Sequence, residues 1–333
     1  MKKILFLASL AAVAMTSCTS ESNEYVGGND NTPKEIAFTP LTQPVTRTAI
    51  EGTSFPYAKS IYVAAYDVTN NRDFFAQTTF TNPTASDQSP VNTWKGSPAR
   101  YWPLSACTIN FLAFAEFGAD PAPTWSKGTG VDANNQFIEF VMADNSSNQY
   151  DLMYAMGTKT LSAGASSPGN VSMVFNHAQA LIKFTVKGNS DAVSAGVSID
   201  KISIASMICD GTFKVTHTNY NAASGQSVDG SWTSVGTASD REVGSTTALT
   251  ASEADYAQLL VVPSGNITAF TITYSYDSKQ YTYTHTLASP IALAKATKYT
   301  FDITFNIHEI IIEPSITNWT EGVGGAGTVT IGG

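Results

Sequence analysis

His177, His217, His285 and His308 are the side chains best suited to metal ligation or acid–base work, and their spacing suits neither. Each sits alone in its stretch, so each reads as a strand or turn residue. Cys107 and Cys209 form no CxxC or Cys/His cluster, which leaves no zinc or redox framework. They fall in segments assigned below to different domains, so a disulfide between them is not favoured, and buried thiols acting as small hydrophobes are expected. The glycine-rich runs "GASSPG" and "GVGGAG" do not follow a strand and open a helix, as a phosphate cradle must. "VDANNQ" and "YDVTNN" hold calcium-compatible oxygens without EF-hand spacing, and turn chemistry accounts for them. No pair of carboxylates is singled out. The chain reads as a non-enzyme with no cofactor and no metal.

Two residues are placed for a different chemistry, that of covalent processing. "MKKILFLASLAAVAMTSC" has a basic start, an apolar run from Ile4 to Met15 and small residues before Cys18. The run is short for a span of about 20 residues. It reads as a signal peptide ending in a lipobox-like site, with Cys18 the lipidated residue. A polar tether, "CTSESNEYVGGNDNTPK", follows. Then comes "EIAFTPLTQPVTRTAIEG", which opens as a strand with Ile36 and Phe38 on one face. It passes Pro40 and Pro44 and reaches Arg47, one of four arginines in the chain. Pro44 and the threonines on either side of Arg47 favour an accessible segment, as a protease requires. At the other end, "GTVTIGG" sets Val329 and Ile331 on one face and Thr328 and Thr330 on the other, behind a glycine-rich hinge.

The elements that must position these residues are strands. Net charge is −9 and only 14% of residues are charged, with no basic patch. Phosphate neutralisation dominates nucleic-acid affinity, so no nucleic-acid partner is expected. Short runs such as "SIYVAAYDV", "DFFAQTTF", "RYWPL", "TINFLAFAEF", "QFIEFVMA" and "DLMYAMGTKTL" alternate or carry β-branched and aromatic residues. Turn-rich pieces separate them. The second half continues the pattern with "ALIKFTVKG", "SIDKISIAS", "GTFKVTH", "AQLLVVPSG", "AFTITYSYDS", "QYTYTHTL" and "YTFDITFNI". Tyr274, Tyr276, Tyr281 and Tyr283 predict two paired strands around the turn "DSKQ". No long amphipathic helix is expected, though "EADYAQ" could add one turn. Asn219 to Ser245 reads as a long loop or loose hairpin around Trp232. The break between "VSMVF" and "ALIKF" divides the chain into two β-sandwiches in tandem.

The order of "EIAFTPL…VTRTAIEG…FPYAKSIYVAAYD", "YWPLSACTINFLAFA", "DLMYA", "FNHAQALIKFTV" and "ITNWTEG" resembles the fimbrillin family of type V pilus subunits, over essentially the whole chain. The resemblance implies an all-β fold of two tandem transthyretin-like Greek-key β-sandwich domains. Its parts would be a lipoprotein signal peptide (1–17), a lipidated tether and removable first strand (18–47), an N-terminal sandwich (48–176) and a C-terminal sandwich (177–333). It also implies a route: lipidation at Cys18, transport to the outer membrane, and cleavage after Arg47 by an arginine- or trypsin-like protease. Thr48 would become the N-terminus of an extracellular fimbrium subunit. The strand holding Ile36 and Phe38 would be lost, and a strand from another fimbrial subunit would fill its groove by donor-strand exchange. Val329 and Ile331 would belong to a C-terminal donor. The other reading is a monomeric surface lipoprotein that binds glycans, with Trp94, Trp102, Trp125 and Trp232 as stacking platforms.

Overall fold

The computed structural model describes residues 34–41, 60–82, 93–117, 125–127, 138–142, 151–162, 169–218, 227–306 and 309–318. All lie within the compact unit Pro33–Gly333. The fold is all-β, as the strand patterns predict. The first half carries β1 (Ala37–Leu41), β2 (Ile61–Asp67), β3 (Arg72–Thr81), β4 (Trp94–Ser97) and β5 (Cys107–Phe117). It continues with β6 (Trp125–Lys127), β7 (Ile138–Met142), β8 (Asp151–Leu161), β9 (Val171–Val174) and β10 (Asn176–His177). The second half has β11 (Ala180–Gly188), the helix α1 (Ser190–Ser194), β12 (Ser198–Met207), β13 (Gly211–Thr218), β14 (Ser227–Val235) and β15 (Ser239–Val243). After these come β16 (Thr247–Ala248), β17 (Ala254–Val261), β18 (Asn266–Tyr276), β19 (Lys279–Ala292), β20 (Thr297–Asn306) and β21 (Glu309–Asn318).

An eight-stranded sheet runs β10-β8-β5-β2-β3-β4-β1-β9. It curls back on itself: a Cβ on Gly157 of β8 would lie 3.0 Å from Val171 Cγ1 and 3.1 Å from the Ser172 carbonyl of β9. The missing side chain at Gly157 eases this close approach of the two strands. The alternation that marks β2 as a strand sends Ile61, Val63 and Ala65 inward. They join Ile109, Phe111, Met153 and Met173 in one core. A second core is enclosed by the sheets β17-β11-β20-β21 and β15-β12-β18-β19. At its centre Phe184, Phe270 and Phe301 meet with ring centroids 5.1–5.4 Å apart. β11 lies between β17 and β20 and is buried on both faces, which explains why its sequence reads as a nearly continuous apolar run. No disulfide links Cys107 and Cys209; each is buried as a thiol in a different core.

A fourth sheet, β14-β13-β7-β6, joins strands from both halves, with β7 pairing β13 from Val215↔Ile138 to Gly211↔Met142. Behind it Phe213 packs against Tyr154 and Trp232, at 5.3 and 5.2 Å between rings. The Trp232 indole donates to the Ala178 carbonyl at 2.8 Å. Lys295 hydrogen-bonds to the Asp229 carboxylate and the Gly230 carbonyl and lies 5.7 Å over the Tyr154 ring. Burial pulls the Lys295 ammonium down, but its bonds to Asp229 and Tyr154 outweigh that and leave it raised. Burial likewise works against the Asp229 carboxylate, yet Lys295 and the Gly230 N–H hold it below the ordinary range. The lysine contribution is lost as pH rises through its raised value, and the aspartate contribution as pH falls through its lowered one. Between those limits the tie is intact.

Four expectations need correction. "RYWPL" is not a strand. Pro103 removes a ladder donor, and the segment instead caps the chain before β1, with Ile36 N–H donating to Arg100 O at 2.7 Å and Trp102 N–H to Lys34 O at 2.8 Å. "EADYAQ" adds no helical turn but lies in and just before β17, whose pairing with β11 overrides its local preference. The polar stretch around Trp232 holds two strands, β14 and β15. The turn "DSKQ" is tighter than four residues. Tyr276 pairs with Lys279, and Asp277 and Ser278 both take left-handed backbone (φ 48° and 56°), as a two-residue hairpin turn requires.

The seam is held chiefly by apolar contact. Phe213→Ala is expected to cost about 3–5 kcal/mol, whereas Lys295→Met should cost under about 1 kcal/mol because Asp229 is largely exposed. Urea unfolding of both variants checks the ranking.

Candidate functional site

The site is built around β1. This strand has neighbours on both sides, running antiparallel to β4 (Ala37↔Lys95, Phe38↔Trp94) and parallel to β9 (Phe38↔Val171 to Leu41↔Val174). Its N-terminal end is caught by the Arg100–Trp102 segment, where Glu35 bridges Tyr101. Period-two alternation sends Ile36, Phe38 and Pro40 inward, all buried. The Phe38 ring is completely covered, edge-on to Phe80 at 4.6 Å and to Phe111 at 5.1 Å. Gly96 makes room for this cluster: a Cβ there would sit 3.0 Å from Phe80 Cε1 and 2.9 Å from the Pro98 carbonyl. The same strand that gives the core its central ring is therefore five residues long and leads, six residues past its end, to Arg47.

Two polar contacts tie the outward side of this segment to its flanks. Lys95 of β4 approaches Glu35 at 3.0 Å. Asn170, just before β9, donates from its amide to both Thr39 Oγ1 and Thr93 Oγ1 at 3.1 Å. The amide thus reaches across the slot from the β9 side to the β4 side.

Ile36 and Phe38 are brought together in this slot. Cys18, Arg47, Thr48, Val329 and Ile331 lie outside the described residues. The contributions of Lys95 and Asn170 were invisible in the sequence, since Asn170 and Thr39 stand 131 positions apart. Trp94 and Trp102, offered above as sugar platforms, are instead buried in the first core. Trp232 is half-buried and its N–H is engaged, while Trp125 has no described side chain. His177 Nδ1 lies 2.9 Å from Asp151 Oδ1, both buried, and the pair links β10 to β8. Burial also holds the His285 imidazole below its ordinary pKa, beside Phe270. Among the described residues, no group of three or more His, Cys, Asp or Glu is arranged to hold a metal, and no helix is long and apolar enough to cross a membrane.

In sequence, residues 46–319 match the fimbrillin-like family. The chain belongs to this family. No curated protein matches it in sequence. The fimbrillin-like fold is shared with a candidate cell adhesion protein from Bacteroides uniformis ATCC 8492, at 15% identity and a TM-score of 0.52, covering 88% of this chain and 100% of that one. A second, from Bacteroides ovatus ATCC 8483, has 14% identity and a TM-score of 0.51 and covers 86% and 98%. A fimbrillin-like chain is a fimbrial subunit of the cell surface that associates with other fimbrial subunits.

Phe38→Ala should remove about 3–5 kcal/mol of stability. Thr39→Ala, which alters only the outward face, should remove about 1 kcal/mol. Chemical unfolding of the two full-length variants tests whether β1 is core or ornament.

Proposed function

We propose that this chain is a structural subunit of a surface fimbria, assembled by donor-strand exchange and contributing to adhesion and biofilm. Lipidation at Cys18 holds the precursor at the outer membrane. An arginine- or trypsin-like protease cuts after Arg47, and Thr48 becomes the new N-terminus. β1 then leaves, its slot between β4 and β9 opens, and a strand from another subunit takes its place. The chain's own C-terminal segment, with Val329 and Ile331, serves as donor to a neighbour. On this reading the two cores are tandem sandwiches, 48–176 and 177–333.

The observation that carries the reading is the position of β1. It is an interior strand that fills the middle of a core, so its loss leaves two unpaired edges and an apolar trough, the combination that recruits a new strand. The family match, which begins at residue 46, just after this segment, supports the same division. So do two of the other arginines, which are tied into the fold: Arg100 donates to Thr78 and covers Phe75, and Arg241 pairs with Ile204 in the β15–β12 ladder. Arg72 lies against Asp67 but is exposed.

N-terminal sequencing and intact mass of protein sheared from the cell surface test the proposal. The expected chain starts at Thr48 and carries no lipid, and Arg47→Ala should retain the Cys18 lipid and abolish SDS-resistant ladders. Assembled material that still starts at a lipidated Cys18 would overturn it.

A further inference from the structure

The polar fittings around the β1 slot say what kind of strand it accepts. Inside, the slot provides three successive positions, filled by Ile36, Phe38 and Pro40, with the full-sized aromatic in the middle against Phe80 and Phe111. Outside, a cation (Lys95) stands beside the residue that precedes the first apolar position, and an amide (Asn170) donates to the residue that follows the aromatic. Parallel pairing with β9 and antiparallel pairing with β4 fix the direction in which an occupant must run.

The chain's own C-terminal sequence fits these requirements poorly. With Val329 and Ile331 in the positions of Ile36 and Phe38, Thr328 would face Lys95 and Gly332 would face Asn170. Sliding by two places sets Thr330 opposite Asn170, but then Gly327 occupies the Ile36 position and Ala326 stands before Lys95. A slide of one place turns both apolar residues outward. No in-face register offers an acid to Lys95, and none supplies an aromatic ring.

We propose that the slot selects a strand from a different subunit over residues 326–333 of a second copy of this chain. The favoured strand carries an acid, a large aliphatic, a small residue, an aromatic, a hydroxyl and a compact apolar residue in that order, with Lys95 reading the acid and Asn170 the hydroxyl. This rests on the strand-exchange reading. It disfavours pairing of two copies of this chain through residues 326–333. Apolar filling supplies the affinity, and the two polar contacts bias register and favour strands that carry them.

The test uses full-length protein with the slot occupied in cis, so it reports selectivity whether or not strands exchange. Residues 35–40, EIAFTP, are replaced by TVTIGG or, for the other register, by AGTVTI. Both grafts should raise the unfolding equilibrium constant about a hundredfold or more, through lost volume and added glycine. Restoring Glu35 and Thr39 within the TVTIGG graft should recover part of the loss. In the native background, Lys95→Glu should cost about two- to fivefold, and E35K/K95E should regain most of it, which a Lys95 that acts only by packing its alkyl stem would not do. Should the grafts fail to fold, the charge-swap pair still decides whether Lys95 reads the acid. A graft as stable as the native chain within about threefold, or a swap that regains nothing, would overturn the proposal. Neither result would touch the processing reading, which depends on the N-terminus found on sheared material.

Discussion

The structure depends on the two-sided pairing of β1. An edge strand can be lost at the cost of one ladder, but an interior strand satisfies backbone groups on both neighbours at once. Here it also delivers the ring around which the first core is packed. Burying Ile36 and Phe38 contributes about 1.5–3 kcal/mol each, before any hydrogen bond is counted. β4 and β9 have no direct pairing with each other in the sheet order, so the ladder joins them only through β1, and the Asn170 amide spans the slot.

On the proposed strand exchange, five residues must be well enough held for the precursor to fold, and replaceable by a strand of similar chemistry. The short length of β1 and its tie to the rest of the fold through a segment carrying Arg47 are compatible with both. The second core has no comparable dependence on its first strand's neighbours outside the lobe: β11, β12, β18 and β20 are all interior to their sheets and contiguous with the rest of the chain. The seam sheet β14-β13-β7-β6 and the Phe213 cluster then join the two cores through paired strands and packed side chains.

Much of the fold was legible from alternation. β2, β5, β8, β11, β18 and β20 each place β-branched or aromatic residues on a buried face, and period two is a local property of sequence. β14 and β15 were not legible, because strands such as "SDREV" carry few apolar residues and lie largely on solvent-exposed sheet. "RYWPL" misled in the opposite direction: it has strand composition, but its proline and its role in capping β1 keep it out of a ladder. At the candidate site, the inward face of β1 could be read from Ile36 and Phe38 alone. Its polar readers could not, since Lys95 and Asn170 gain meaning only when the sheet brings them to either side of the strand.

The central claim is that β1 must leave for assembly, and a reversible lock tests it most directly. Thr39 and Ser172 are paired across β1 and β9, on the outward face, so T39C/S172C places two thiols at a separation a disulfide can span. With the disulfide formed, no SDS-resistant ladder should appear, and reduction should restore it. Ladders that form equally well with the lock closed would contradict the claim.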